Sequence, residues 1–234
     1  MKLALIGYGA MGQLVASLAE GAGDEIGAML TSKDSASSDE MAALLRGHDV
    51  AIDFSVGAGV VTHVEACMLA GVPLVQGTTG WKDHEAEARR IVSEHGGAMV
   101  YGANFSIGVN VFYRIVKQAA EFFAGLEQYQ AFIEEEHHSR KLDAPSGTAL
   151  NLKSLMTEHG KAPVSITSTR AGHIPGTHRV GFDCAADQIM LTHTARSREG
   201  FAAGALLAAR WLVGRKGVYE FSEVIDEILR CDES

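Results

Sequence analysis

Short apolar runs alternate with amphipathic stretches through the first hundred residues. Lys2–Ile6, Glu25–Leu30, Val50–Phe54, Pro73–Gln76 and Ala98–Tyr101 are too short for helices and read as buried strands. Between them Met11–Glu20, Met41–Leu45, Val60–Ala70 and His84–His95 read as helices. This alternation predicts a parallel sheet covered on both faces, a Rossmann-type doubly wound α/β domain. From Ser106 the pattern changes. Val109–Leu126 carries apolar residues at Phe112, Ile115, Val116, Ala119, Phe122, Phe123 and Leu126, a helical stripe. Tyr129–Glu136, Val164–Arg170, Arg179–Asp183 and Gln188–Thr194 follow as strands. One helix, 146–159, interrupts them, with Gly160 and Pro163 as stop signals. Ala202–Trp211 and Val224–Leu229 are helical again. The expectation is a discontinuous dinucleotide-binding domain at 1–106 and 199–234. A second α+β domain with a mixed or antiparallel sheet, for substrate binding and oligomerisation, would occupy 107–198.

Composition narrows the classes. A chain of 234 residues that is 47% hydrophobic and 21% charged buries a sizeable core without a metal or disulfide staple. Its net charge of −9 disfavours nucleic acid as a partner. Cys67, Cys184 and Cys231 are odd in number and form no CxxC, which fits a reducing compartment. Only four apolar residues separate Lys2 from Gly7, too few for a secretory h-region. The longest apolar stretches, Ala66–Val75 and Phe201–Ala209, are too short to span a bilayer. A soluble, cytoplasmic protein is expected.

Gly7-Tyr8-Gly9-Ala10-Met11-Gly12 follows the first strand and opens a helix. In that context GxGxxG is a pyrophosphate cradle: a tight turn, a close backbone approach, and free N–H groups at a helix N-terminus. The end of the second strand selects the dinucleotide. It reads Thr31-Ser32-Lys33 rather than the acidic residue that would hold a ribose hydroxyl. Two hydroxyls and an ammonium suit a 2′-phosphate, so NADP(H) is favoured and NAD(H) stays open. Asp53-Phe54-Ser55, Gly77-Thr78-Thr79-Gly80 and Gly102-Ala103-Asn104-Phe105 end three further strands, where ligands lie in open α/β sheets. Phe54, Gly77, Thr78, Thr79, Gly102, Ala103, Asn104 and Phe105 are therefore candidate cofactor contacts.

Glu135 to Ala149, EEHHSRKLDAPSGTA, carries the densest chemistry. His137 and His138 fall on opposite faces of a strand, which argues against a paired-histidine metal site, and no metal is expected. Ser146-Gly147-Thr148 reads as a helix N-terminus able to hold a carboxylate or phosphate, with Lys141 as a point charge for the same anion. Histidine transfers protons near neutral pH. Together they suggest hydride transfer to a carboxylate-bearing substrate; an exposed histidine pair beside an ordinary helix cap is the plainer alternative.

This segment resembles the E-x-H-H-x-x-K-x-D-A-P-S-G-T-A signature of the bacterial 4-hydroxy-tetrahydrodipicolinate (dihydrodipicolinate) reductase family. The resemblance extends over the glycine-rich turn, Asp53-Phe54-Ser55, Gly77–Gly80, Ala103–Ser106, Gly108-Val109-Asn110, Pro175–His178 and His193–Arg198, most of the chain. It implies reduction of a cyclic dicarboxylate to tetrahydrodipicolinate by NADPH or NADH, in the diaminopimelate route to lysine, by a homotetramer joined through the second sheet. It also implies His137 as proton donor, Lys141 as second catalytic residue, and His138, Gly147 and Thr148 with neighbouring Ser146 as substrate contacts. Residues Gly7 to Gly12, Gly77 to Thr79 and Gly102 to Phe105 would hold the cofactor. Choosing His137 over Lys141 as donor rests on the resemblance. His173, His178 and His193 are expected to be structural. The alternatives are a non-catalytic NADP(H) sensor and another Rossmann dehydrogenase acting on an amino-acid-derived carbonyl or imine. Neither Cys67 nor Cys184 is placed to serve as an acylating nucleophile.

Overall fold

In β1 (Lys2–Ile6) Leu3 and Leu5 face one side and Ala4 and Ile6 the other, and all four are buried. Such a strand needs cover on both faces. The computed structural model, which describes residues 1–31, 37–159 and 163–231, places it inside a six-stranded sheet. The other members are β2 (Glu25–Leu30), β3 (Val50–Asp53), β4 (Leu74–Gln76), β5 (Ala98–Tyr101) and, far along the chain, β10 (Gly217–Glu220). Their order is β10-β5-β4-β3-β1-β2 and every pair is parallel.

The helices α1 (Ala10–Gly21), α7 (Glu199–Leu212) and α8 (Phe221–Cys231) pack over Leu3, Leu5, Val50 and Ile52. On the opposite face α2 (Ser38–Leu45), α3 (Val60–Ala70) and α4 (Glu85–Glu94) cover Ala4, Ile6 and Ala51. Because β1 lies between β2 and β3, the chain reverses its direction of winding there. That switch point opens a crevice at the carboxyl ends of the strands. The doubly wound expectation holds.

Strand β10 was not expected. Its four residues carry no apolar run, and it forms because the edge of β5 offers a backbone partner, with Gly217 N–H donating to Gly97 O at 2.9 Å. Helix α2 starts three residues before its apolar pattern, since Ser37 and Glu40 close a capping box.

The chain divides into two compact units, Met1–Ile107 with Arg198–Ser234, and Gly108–Ser197. The second holds most of α5 (Ile107–Phe123), all of α6 (Gly147–His159), and a mixed sheet in the order β7-β6-β8-β9. Strand β6 (Gln130–His137) is parallel to β7 (Ser165–Arg170) and antiparallel to β8 (Gly176–Asp183). Strand β8 is antiparallel to β9 (Gln188–Ala195). One sheet face is ruled in rows. Ile166, Ile133, Val180 and Leu191 form an apolar row with Phe112, Val116, Leu152 and Met156 of α5 and α6 packed on this core. Two residues further along β6 the same face turns polar, and there the chemistry collects. Among the described residues no helix is long and apolar enough to cross a membrane.

Candidate functional site

The glycine-rich turn owes its shape to two contacts no side chain could share. Gly7 has φ +86°, and a Cβ there would stand 2.5 Å from Phe54 O. A Cβ on Gly12 would stand 2.2 Å from Gly7 O, so α1 packs on the end of β1 only without one. Gly9 differs: it is the N-cap of α1, open space surrounds it, and no side chain caps the helix. The first turn of α1 also carries no acidic residue. Its unpaired N–H groups are left for an anion, which fits a dinucleotide pyrophosphate. Tyr8 and Ala10 are exposed beside it, and Met11 packs on the core.

The ends of β3 and β4 are laced together by Asp53, a fully buried residue that sequence reading treated only as a strand end. Its carboxylate accepts from Ser55 N–H at 2.9 Å, Gln76 Nε2 at 2.9 Å and Thr78 Oγ1 at 3.0 Å, and contacts His63 Nδ1 at 2.8 Å. Burial pushes this carboxyl up, but the hydrogen bond and charge of His63, with Ser55 and Gln76, outweigh it and hold the group ionised. Gln76 Oε1 then takes Thr78 N–H at 2.9 Å. The hydroxyl of Thr78 is thus committed to the scaffold, and Thr79 is exposed. The Phe54 ring covers Gly77 so closely that a Cβ there would meet it at 2.2 Å.

After β5, Gly102 is half-buried, Ala103 is exposed, and Asn104 Oδ1 accepts from Ser106 N–H at 2.8 Å. Phe105 is a core residue, its ring 4.6 Å from that of Phe221, so only its backbone is available to a ligand. Thr31 is exposed beyond β2, whereas Ser32 and Lys33 lie outside the described residues.

In the second unit, Ser168, Glu135, His178 and His193 make one row across the four strands. Beyond it His137 pairs with Arg170, and Gly176, which pairs with Ala195, lies against the His137 ring. Period two in β6 puts Glu135 and His137 on this inner face and Glu134 and Glu136 on the other. Glu135 is the hub. Its Oε1 accepts from Ser146 N–H at 3.1 Å and from Arg170 Nη2 at 2.7 Å. Its Oε2 lies 2.9 Å from His137 Nε2 and 3.7 Å from His178 Nε2. The His137 approach is out of line for a hydrogen bond, so both atoms count as buried and unpaired despite the short distance. Burial pushes the Glu135 carboxyl up, but hydrogen bonds from Ser146, Arg170 and Ser168 outweigh it and bring it down to about 2.

Burial lowers the pKa of His137, and the charges of Lys141 and Arg170 lower it further while Glu135 opposes them. His178 is brought down to about 4, by burial first and then by His137, whose ring lies edge-on with centroids 5.1 Å apart. Both rings are therefore mainly neutral at pH 7. The ligand-type atoms of Glu135, His137 and His178 fall within 4.8 Å of one another. Arg170 already pairs with Glu135, and Ser146 Oγ bonds His178 Nε2 at 3.0 Å, so two of the three groups are engaged by other partners.

Ser146 caps α6: its Oγ accepts from Ala149 N–H at 3.2 Å. Its hydroxyl and N–H are both engaged, and the exposed Gly147 turns its N–H to the Asp143 carboxylate, which leaves half-buried Thr148 as the open part of the helix start. Lys141 Nζ pairs with Asp143 Oδ1 at 2.8 Å. His138 is half-buried just past the end of β6, with its Nδ1 unpaired. The structure thus gathers His137 and Ser146 around Glu135, Arg170 and His178, three residues the sequence reading had not assigned to the site. Their strand register was the missing signal.

A parallel sheet with an uncapped glycine-rich turn at its switch point defines the class, a Rossmann-type NAD(P)H-dependent oxidoreductase. Comparison with known proteins narrows it. Residues 1–105 match the family described as dihydrodipicolinate reductase, N-terminus, and residues 108–225 match dihydrodipicolinate reductase, C-terminus. The chain belongs to the dihydrodipicolinate reductase family. A 4-hydroxy-tetrahydrodipicolinate reductase of Christiangramia forsetii is 36% identical, covering 98% of this chain and all of the relative. That of Haloarcula marismortui is 39% identical over 76% of each chain. Among solved structures, a dipicolinate-bound dihydrodipicolinate reductase from Paenisporosarcina sp. TG-14 superposes with TM-score 0.79. It covers 94% of this chain and 97% of that one at 22% identity, a likeness of fold.

Proposed function

We propose that this protein reduces 4-hydroxy-tetrahydrodipicolinate to tetrahydrodipicolinate in lysine biosynthesis, with His137 as proton donor and Lys141 as the second catalytic residue. The observation that carries the reading is the polar end of the second sheet. It places a buried histidine beside a fixed carboxylate, at the strand end that leads into a lysine and a helix N-terminus. A bound reduced nicotinamide supplies the hydride. The residues of this chain bind, orient and protonate.

Two substrate carboxylates need at least two cationic or N–H-rich contacts. Lys141 meets one and the N–H groups of Gly147 and Thr148 meet the other, Lys141 and Gly147 both giving up Asp143 for substrate, with His138 alongside and Ser146 holding the helix start. Hydride addition to a conjugated imine leaves an electron pair that takes a proton, and His137 gives it. In the free protein His137 is largely neutral, because burial and two cations disfavour its charged form. An arriving dianion opposes those cations, so substrate itself charges the acid.

On the cofactor side, the turn from Gly7 to Gly12 (Tyr8, Gly9, Ala10 and Met11 between) holds the pyrophosphate. Phe54, Gly77, Thr78, Thr79 and Gly102 to Phe105 border the nicotinamide. Thr31-Ser32-Lys33 favours NADPH over NADH, and the reaction needs no metal. The unit at 1–106 and 199–234 serves the dinucleotide and the unit at 107–198 the substrate. The sheet face opposite α5 and α6 bears Phe132, Met190, Thr192 and Thr194, which suits self-association into a homotetramer. A cytoplasmic setting follows from the pathway.

Replacing His137 by Gln and Lys141 by Ala, singly, should lower turnover by on the order of a hundredfold or more, the usual share of general acid catalysis. NADPH affinity, read by fluorescence titration, should stay unchanged. Variants that turn over like the parent would remove the proposed centre.

A further inference from the structure

We propose that Glu135 is a positioning residue: its carboxylate fixes His137 with the ring proton on Nε2 and leaves Nδ1 as the atom that meets substrate. This rests on the proposed reductase reading, which names His137 as the acid. A carboxylate without a proton can only accept, so a ring nitrogen 2.9 Å from Oε2 must carry hydrogen to be stable there. Completing that hydrogen bond requires the ring to turn into line with Oε2. Glu135 keeps its charge because Arg170 and the Ser146 N–H hold the other oxygen. One carboxylate therefore ties the proton donor to the first residue of the helix start that receives the substrate.

The groups facing His137 come from every neighbouring element: Glu135 from β6, Lys141 from the following loop, Arg170 from β7 and His178 from β8. Of these Glu135 is the one anion. Gly176, beside the His137 ring at the start of β8, supplies room for it, since a Cβ there would stand 3.1 Å from Cε1 and 3.2 Å from Nδ1. Ser146 thus acts on His137 through Glu135, whereas Arg170 acts both through Glu135 and by its own charge.

The test is the imidazole 1H–15N correlation spectrum of the full chain labelled with 15N-histidine, with His137 assigned by its loss in His137→Gln. Neutral His137 should be protonated on Nε2 in the parent. In Glu135→Gln the side-chain amide presents N–H to Nε2, so the proton should move to Nδ1. That variant should lose on the order of ten- to a hundredfold in kcat, less than removal of the general acid itself, with KM close to the parent value. The pH at which kcat falls should move down, because the anion that favoured the charged ring is gone, and Glu135→Asp should restore part of that shift. If Glu135→Gln does not fold, the parent spectrum still decides. A parent His137 protonated on Nδ1, or a folded Glu135→Gln with unmoved tautomer and pH profile, overturns the inference. A parent without reductase activity contradicts the underlying reading instead, so the two failures are told apart.

Discussion

His137 works as an acid only while charged, and its surroundings decide when that is. Burial, Lys141 and Arg170 lower its pKa in the free protein. As pH rises through that lowered value the charged form is lost, so kcat/KM should fall first. Dianionic substrate raises the value in the complex, and kcat should hold to higher pH before falling. The kcat profile reports the complex and kcat/KM the free enzyme, so steady-state rates across pH 5–9 separate the two limbs. Coincident limbs, or a kcat limb at the lower pH, would contradict a His137 acid charged by its substrate. At this scale the motif was legible and its support was not. Period two alone put Glu135 and His137 on one face, while His178, read as structural, enters the cluster only through a β6–β8 register that pairs it with Glu135.

The elements place these residues through contacts that can be separated experimentally. Gly12 serves packing, with no room for a Cβ beside Gly7 O, whereas Gly9 faces open space at the uncapped start of α1. Gly12→Ala should therefore destabilise the fold by roughly 1–3 kcal/mol, as overpacking does, and weaken NADPH binding with it. Gly9→Ala should leave the melting temperature near that of the parent and weaken NADPH binding alone, because its new methyl group enters the approach to the helix N–H groups. Thermal melts and NADPH titrations of both variants check this. A Gly9→Ala protein with full affinity would mean the pyrophosphate lies elsewhere. The paired strands and helices were largely readable from apolar period, with two instructive misses. Strand β10 has no apolar run of its own, and β8 begins at Gly176 rather than Arg179 because Gly176–His178 pair with β9, and Thr177 and His178 also with β6.

For the whole molecule, the change of pattern near Ser106 marked a Rossmann sheet and a second, mixed sheet, and the family match extends over both. Each sheet is legible for the same reason: its strands alternate or run apolar according to how many faces are covered. Cofactor preference is less so. It hangs on Thr31-Ser32-Lys33, of which only Thr31 lies among the described residues. The most direct measurement is a coupled assay. Substrate is generated in place from pyruvate and aspartate semialdehyde by the preceding synthase, and the loss of NADPH and of NADH is followed separately. The account predicts oxidation that depends on the synthase and is faster with NADPH. Faster oxidation of NADH would correct the reading of the second-strand end alone. No synthase-dependent oxidation of either cofactor, with dinucleotide binding intact, would contradict the reductase assignment itself.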